Sequence, residues 1–327
     1  MKVFLSVVLS SALVSVAVGY ALIPLLRKFK MGQNILGYVK EHGYKSGTPT
    51  MGGLIFVISA IIVFFLFLKN DGYLAVVCIA VGVSYMIVGG ADDAIKIKLK
   101  RNEGLSPLQK TLFELVIAVV IALFSQYRGL TGVFVPFTKN FVDLGFWHFP
   151  LCVLVFIATT NSVNLTDGLD GLAGGVSWVY LAVIATLIYL QTKYGFAVYF
   201  KDGEYTNLVM LCCSLVGALI GYLLFNTFKA SVFMGDTGSL SLGGFIASIS
   251  MLSGNLFFIP ILGITFVASS ISVIVQVFHY KRTGKRVFLM APLHHHFQHK
   301  GYSESKIVFA YKFVTFCVGT LCLISYL

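Results

Sequence analysis

The chain has 327 residues, 57% of them apolar and only 11% charged, with a mean hydropathy of +0.89. Soluble domains carry about 25% charged residues, so the composition excludes a soluble globular enzyme and indicates an all-α integral membrane protein. A net charge of +11 excludes no membrane class, and with no soluble domain to present a basic patch it does not point to nucleic acid.

Breaks at Gly, Pro and charged residues place about ten membrane-spanning helices. They fall near 3–26, 51–68, 73–91, 107–124, 149–165, 173–190, 207–226, 237–253, 256–279 and 307–326. Each is close to the ~20 residues needed to cross a hydrocarbon core. The runs are continuous rather than alternating, so helices and not barrel strands satisfy the backbone. The first run follows Met1-Lys2 like a secretory signal. It lacks a convincing small-residue cleavage site and is long enough to span, so it reads as an uncleaved helix. Between the fourth and fifth runs, TGVFVPFTKNFVDLGF alternates like a small hairpin. No linker or repeat divides 1–327, which reads as one membrane domain.

Loops after the odd-numbered spans, with adjoining span ends, hold seventeen Lys and Arg residues; the opposite set holds six. The positive-inside bias makes the first set cytoplasmic and puts both termini outside. The six cysteines all lie within spans without metal-ligand spacing and read as core thiols.

The polar residues that remain collect at predicted cytoplasmic ends. Asp92 and Asp93 close the third span in GGADDAIK; on a helix they point about 100° apart. One could bind a divalent cation or act as a base while the other pairs with a lysine; the simpler alternative is a solvated helix end paired with Lys96 or Lys98. NSVNLTDGLDGLAGG puts Asn161, Asn164, Asp167 and Asp170 on a polar stripe at the foot of the fifth span, with Gly168 permitting close backbone approach. In FMGDTGS, Asp236 and Thr237 can cap the eighth span, and the same helix terminus attracts phosphate. Phe233 beside them reads as core or as a base-stacking ring, and Asn226 precedes the loop. APLHHHFQ carries His294, His295 and His296. Consecutive side chains splay, which argues against three zinc ligands and for phosphate contact or proton transfer. Lys45 and Thr50, around GTPTMGG, lie close to the second span, where Lys45 can reach a phosphate. Gln276, in an apolar stretch of the ninth span, can hydrogen-bond a ligand or pack in the core.

GTPTMGG, GGADDAIK, NSVNLTDGLDGLAGG, FMGDTGS and APLHHHFQ together resemble the polyprenyl-phosphate N-acetylhexosamine-1-phosphate transferases, over nearly the whole chain and in order. The histidine run is similar to that of the branch that transfers phospho-N-acetylmuramoyl-pentapeptide. The resemblance implies a multi-pass enzyme of the bacterial inner membrane, expected as a homodimer. Its implied substrates are UDP-N-acetylmuramoyl-pentapeptide and undecaprenyl phosphate, and its implied cofactor is Mg²⁺. By the same resemblance Asp236 is the metal ligand, Asp92 the base or nucleophile and Asp93 its partner. Lys45, Asn164, Asp167, Gly168, Leu169, Asp170, Phe233 and Gln276 would line the uridine and diphosphate pocket; Asn226, Lys96, Lys110 and His294 would serve the phosphates. Thr50, Asn161, His295 and His296 complete the expected substrate-binding set. A transferase for another UDP-N-acetylhexosamine is the nearest alternative. An ion-coupled transporter would instead need carboxylates near mid-span and symmetric broken helices.

Single cysteines at Gly43, Gly104 and Gly301, in a cysteine-depleted background, should react with impermeant thiol reagents only from the cytoplasmic side. One at Asp202 should react only from outside, and labelling of the Gly43, Gly104 or Gly301 positions in intact cells would reverse the predicted orientation.

Overall fold

The computed structural model describes residues 1–28, 47–69, 72–99, 101, 103–138, 140–194 and 202–326. Twelve α-helices follow in order among them: α1 (Lys2–Lys28), α2 (Gly53–Phe67), α3 (Tyr73–Leu99), α4 (Pro107–Tyr127), α5 (His148–Thr166), α6 (Leu172–Lys193), α7 (Asp202–Asn226), α8 (Gly235–Leu252), α9 (Ile259–Leu262), α10 (Ile264–Thr283), α11 (Leu293–His299) and α12 (Glu304–Ile324). Eight helical segments among the described residues are long and apolar enough to cross a membrane. The chain is thus a multi-pass, essentially all-α membrane protein. Helices lie along each of the ten runs expected to span, but α2, with 15 residues, and α8 are not among those eight, and two further differences are informative.

α3 runs through Asp92 and Asp93 to Leu99 rather than ending at 91. Both carboxylates are therefore fixed on a helix. The ninth span is broken: a 3₁₀ turn at Leu256–Phe258 leads into one turn of helix, α9, before α10 starts after Gly263. Pro260 explains the break, since it lacks an N–H and sits in the first turn of α9.

α8 is the central helix although its sequence is rich in Ser and Gly. Every residue from Thr237 to Leu252 is buried. Its small residues let neighbouring helices approach, the usual device where lipid supplies no hydrophobic contrast. A Cβ on Gly243 would press on Thr160 of α5, and one on Gly244 on the Tyr85 ring of α3. The serines hide their hydroxyls on backbone carbonyls: Ser248 donates to Gly244 O at 2.7 Å and Ser241 to Gly82 O at 2.9 Å. α1 and α6 pack along α7, which joins α2 to the bundle.

The two ends of α8 lie about 27 Å apart at 1.5 Å per residue. Beyond its C-terminal end, the expected hairpin forms as antiparallel strands β1 (Gly132–Phe134) and β2 (Phe141–Asp143). Phe134 and Phe141 are paired residues with rings 5.0 Å apart, and Phe134 N donates to Gly254 O at 2.7 Å. The opposite, N-terminal end of α8 meets the ends of α3, α4 and α5. There a Cβ on Gly89 of α3 would collide with the backbone of Asp236. Gly89→Val should therefore destabilise the protein by about 1–3 kcal/mol, the usual cost of overpacking, and lower its melting temperature in detergent. An unchanged melting curve would show that α3 and α8 do not depend on this approach.

Candidate functional site

Four helix ends build the site. α3 supplies Asp92, Asp93 and Lys96, α4 Lys110, α5 Asn161 and Asn164, and α8 Asp236, Thr237 and Ser239. Ser106 starts α4 with a reciprocal capping box to Gln109, which sets Lys110 in the first turn of that helix.

The ammonium groups of Lys96 and Lys110 both reach Asp236 Oδ2, at 3.1 and 2.9 Å. Asn164 Nδ2 donates to Asp236 Oδ1 at 2.9 Å and to Ser239 Oγ at 2.8 Å, while Asn164 Oδ1 accepts from Lys110 at 3.2 Å. Lys96 also pairs with Asp92 Oδ2 at 2.6 Å, so one ammonium bridges two carboxylates. Asp92 Oδ1 accepts the Leu105 N–H at 2.8 Å. Together these side chains line a cleft of about 750 Å³ that includes Asp92, Lys96, Lys110, Asn161, Asn164 and Asp236. Asp92, Asp93 and Asp236 offer oxygens within 4.8 Å of one another, an acidic cluster able to hold a metal ion.

The adjacent acids divide their work. Asp93 turns away from the cleft and takes the N-terminus of α8: its oxygens accept from Asp236 N at 3.2 Å, Thr237 N at 3.0 Å and Thr237 Oγ1 at 2.6 Å. The cap of α8 is thus a carboxylate from α3, not its own Asp236 or Thr237 side chain as expected, and the residue before the helix makes no side-chain cap. Gly235 makes this possible. It has φ +71°, and a Cβ there would run into Asp93 and the buried Thr50.

A second group adjoins the cleft. A Cβ on Gly168 would collide with the His294 ring, and His294 is fully buried with neither ring nitrogen hydrogen-bonded among the described residues. Burial, with His295 beside it, pushes its pKa down to about 3, so the ring is neutral. Contrary to the expected splay, His294 and His295 stay together, with ring centroids 4.3 Å apart and both Nε2 atoms facing Gly168. His295 Nδ1 lies 2.7 Å from Gln298 Oε1, and only His296 turns away, its Nδ1 accepting the Leu289 N–H at 3.1 Å. Burial pushes the Asp167 carboxyl up to about 8, helped by the negative charges of Asp236, Asp93 and Asp170.

Several expected contacts are occupied by the fold. Asn226 accepts the Gly171 N–H at 3.1 Å and donates to Val232 O at 2.9 Å, which staples the loop and leaves one N–H of its amide without a bond among the described residues. Gln276 does the same for residues 287–288: its Oε1 accepts from Val287 and Phe288 N–H and its Nε2 donates to Phe288 O at 3.2 Å. Leu169 is buried in the core. Asp170 Oδ2 accepts the Ala230 N–H at 3.1 Å, and its own N–H donates to Glu304 Oε1 at 2.6 Å. Phe233 is held through its backbone by Pro49 O and the Gly52 N–H. Lys45 lies outside the described residues. The sequence pattern gives Thr237 only a capping role and does not single out Ser239, Glu304 or Glu114. Of the latter three only Glu114, a lone acid one turn after Lys110, carries a signal that could have been read.

A cleft of paired lysines and carboxylates at the ends of spanning helices suits an enzyme that handles phosphates in a membrane. Residues 73–254 match the model of glycosyl transferase family 4, and residues 45–57 match the phospho-N-acetylmuramoyl-pentapeptide-transferase signature 1. A phospho-N-acetylmuramoyl-pentapeptide-transferase of Caldanaerobacter subterraneus subsp. tengcongensis is 42% identical over 308 residues, covering 94% of this chain and 93% of that one. One of Clostridium novyi is 40% identical over 330 residues, covering 100% and 97%. One of a Thermoanaerobacter species is 41% identical over 317 residues, covering 96% and 95%. The chain belongs to the phospho-N-acetylmuramoyl-pentapeptide-transferase family, within the phosphoglycosyl transferases.

The raised pKa of Asp167 has a stability consequence. Between its unfolded value of 3.8 and about 8, the folded state keeps a proton that the unfolded chain has lost, so stability falls as pH rises through that window. Asp167→Asn removes the titration. In ligand-free protein it should melt like wild type near pH 4 and above wild type at pH 8; equal melting at both would mean that Asp167 is not held neutral.

Proposed function

We propose that this enzyme transfers phospho-N-acetylmuramoyl-pentapeptide from its UDP-linked donor to undecaprenyl phosphate, giving the lipid-linked pyrophosphate sugar lipid I and UMP. This is the first membrane step of peptidoglycan synthesis, carried out in the bacterial inner membrane with ten spans, both termini outside and the cleft on the cytoplasmic side. The observation that carries the reading is the convergence of Lys96 and Lys110 on one oxygen of Asp236 in a cleft at the ends of spanning helices.

The reaction brings two anions together. An oxygen of the lipid phosphate attacks the sugar-linked phosphorus; the bond to the bridging oxygen breaks, and its electron pair leaves on UMP. Lys96 and Lys110 lower the repulsion between the anions and stabilise the charge on the departing UMP. Asp236, seated at the start of α8 and held by both lysines and Asn164, orients them. The lipid phosphate has a second pKa of about 6 by analogy with phosphorylated side chains, so at neutral pH it attacks as a dianion. Asp92, joined to Lys96, organises charge next to it and accepts any remaining proton. Lys45, Thr50, Asp167, Gly168 and Phe233 border the uridine and diphosphate.

The donor set fits Mg²⁺, which prefers one or two carboxylates and substrate phosphates. Asp236 and Asp92 would hold it, since Asp93 is consumed by the α8 N-terminus and the Lys96 ammonium already marks the space between the other two as one that demands positive charge. When bound, Mg²⁺ supplies further neutralisation of the diphosphate.

Purified protein given both substrates and Mg²⁺ should release UMP in step with lipid I, and UDP-N-acetylglucosamine should be a poor donor. Asp236→Asn should fold and lose well over tenfold in rate, a tenfold loss being about 1.4 kcal/mol of barrier. Without acceptor lipid, verified delipidated protein should show neither a UMP burst nor exchange of labelled UMP into the donor. A stoichiometric burst, or a phosphosugar adduct on Asp92, would replace direct attack with a covalent route.

A further inference from the structure

Glu114 is a buried carboxylate that the reaction above does not use. It lies in α4 one turn beyond Lys110, its side chain wholly buried, within a spanning helix where an acid is costly and a leucine would pack as well. Its Oε2 accepts from Asn161 Nδ2 at 2.6 Å, and the same nitrogen donates to Ile157 O at 2.9 Å.

Both partners of that nitrogen are oxygens. The direction of an asparagine amide follows from its neighbours, and a flipped Asn161 would set Oδ1 against a carbonyl and a carboxylate. The two amide hydrogens are therefore spent, and Oδ1 is the end of Asn161 without a hydrogen-bond partner among the described residues. Asn161 lines the cleft beside Lys110 and Asp236. Its neighbour Asn164 differs, with both ends bonded to Lys110, Asp236 and Ser239.

We infer that Glu114 is a positioning residue that locks the Asn161 amide so that Oδ1 presents a hydrogen-bond acceptor to a hydroxyl or amide N–H of the UDP-sugar. The inference deepens the transferase reading and rests on it. An acceptor at this point repels phosphate oxygens, which have no hydrogen to offer, and so draws the sugar end of the donor to this wall and leaves the diphosphate to the lysines. A carboxylate suits the task because it only accepts. A glutamine could rotate and offer its own N–H, releasing the lock.

The test is a charge-conserving exchange of the pair, read as KM for the UDP-sugar and kcat by UMP release, with melting temperature as the folding check. Asn161→Asp sets two carboxylates face to face and should raise KM at least about tenfold, the scale for a buried polar group left unpaired. Adding Glu114→Gln restores a donor to the Glu114 contact but leaves the Ile157 carbonyl without its N–H, so KM should recover in part, at least about threefold below that of Asn161→Asp. A double variant no better than Asn161→Asp would overturn the inference, because a cleft that needs the Asn161 N–H gains nothing from the exchange. Glu114→Leu should raise KM more than it lowers kcat, and in an Asn161→Ala background it should add nothing; an added loss there would show that Glu114 acts by packing alone. If wild type itself releases no UMP, the proposed function fails. If wild type turns over and the exchange does not rescue, only the positioning role fails.

Discussion

Like charges gathered at one end of an apolar bundle must be held against their own repulsion, and the rest of the structure follows from how this is done. Two carboxylates 4 Å apart repel by about 4 kcal/mol at the effective dielectric of a protein boundary. Here Asp92, Asp93 and Asp236 lie within 4.8 Å of one another. Two ammonium groups and one helix N-terminus hold them together. Lys96 spans Asp92 and Asp236, Lys110 adds a second cation at Asp236, and Asp93 buries its charge against the first N–H groups of α8. Each device needs a different helix, so the cluster forms only when α3, α4 and α8 are docked. The glycines that permit that docking are as much part of the site as the acids.

The same arrangement explains how adjacent acids come to differ. Asp93 is committed to structure by three donors from Asp236 and Thr237, whereas Asp92 faces the cleft with a lysine and one loop N–H. Exchange of Asp93 would loosen α8 and displace Asp236 with it. Its effect on rate would therefore resemble that of a residue lining the cleft, although its hydrogen bonds run to the start of α8. The lysines have the reverse character. They are paired in the absence of substrate, yet their partners are negative groups that an incoming diphosphate can replace without leaving an ammonium unpaired.

Much of this is legible in the sequence, for a physical reason. In a chain with thirteen acidic residues, a carboxylate at the end of an apolar run is conspicuous, so Asp92, Asp93 and Asp236 can be picked out without a structure. Their separate roles cannot, because the direction of Asp93 depends on α3 continuing to Leu99 and on Gly89 letting α8 come close. Asn226 and Gln276 are conspicuous as polar groups beside apolar runs, but their backbone contacts are not legible in the sequence. Their partners are backbone groups of Gly171 and Val232 and of residues 287–288, and nothing in a local pattern shows that a loop will fold back on an amide. Glu114 is a related case. Standing alone inside an apolar run one turn after Lys110, it can be noticed in the sequence, but only its contact with Asn161, 47 positions away, shows what it holds.

The placement of polar groups along α4 and α5 suggests an order within the cleft. Lys110 and Asn164 stand at the level of Asp236 and present or direct positive charge. One turn further into the bundle, Glu114 and Asn161 turn the wall from donor to acceptor. A ligand with a charged phosphate at one end and neutral hydroxyl and amide groups at the other matches that gradient in one orientation only, with the anionic end against the lysines. Reversal would set phosphate oxygens against a carbonyl oxygen and leave the ammonium groups facing neutral sugar. On the proposed reading, selectivity for orientation would arise from the asymmetry of two neighbouring amides, one bonded at both ends to Lys110, Asp236 and Ser239 and one locked by a buried acid. It needs no moving part, because both amides are fixed from behind by residues on a helix that the bundle holds in place.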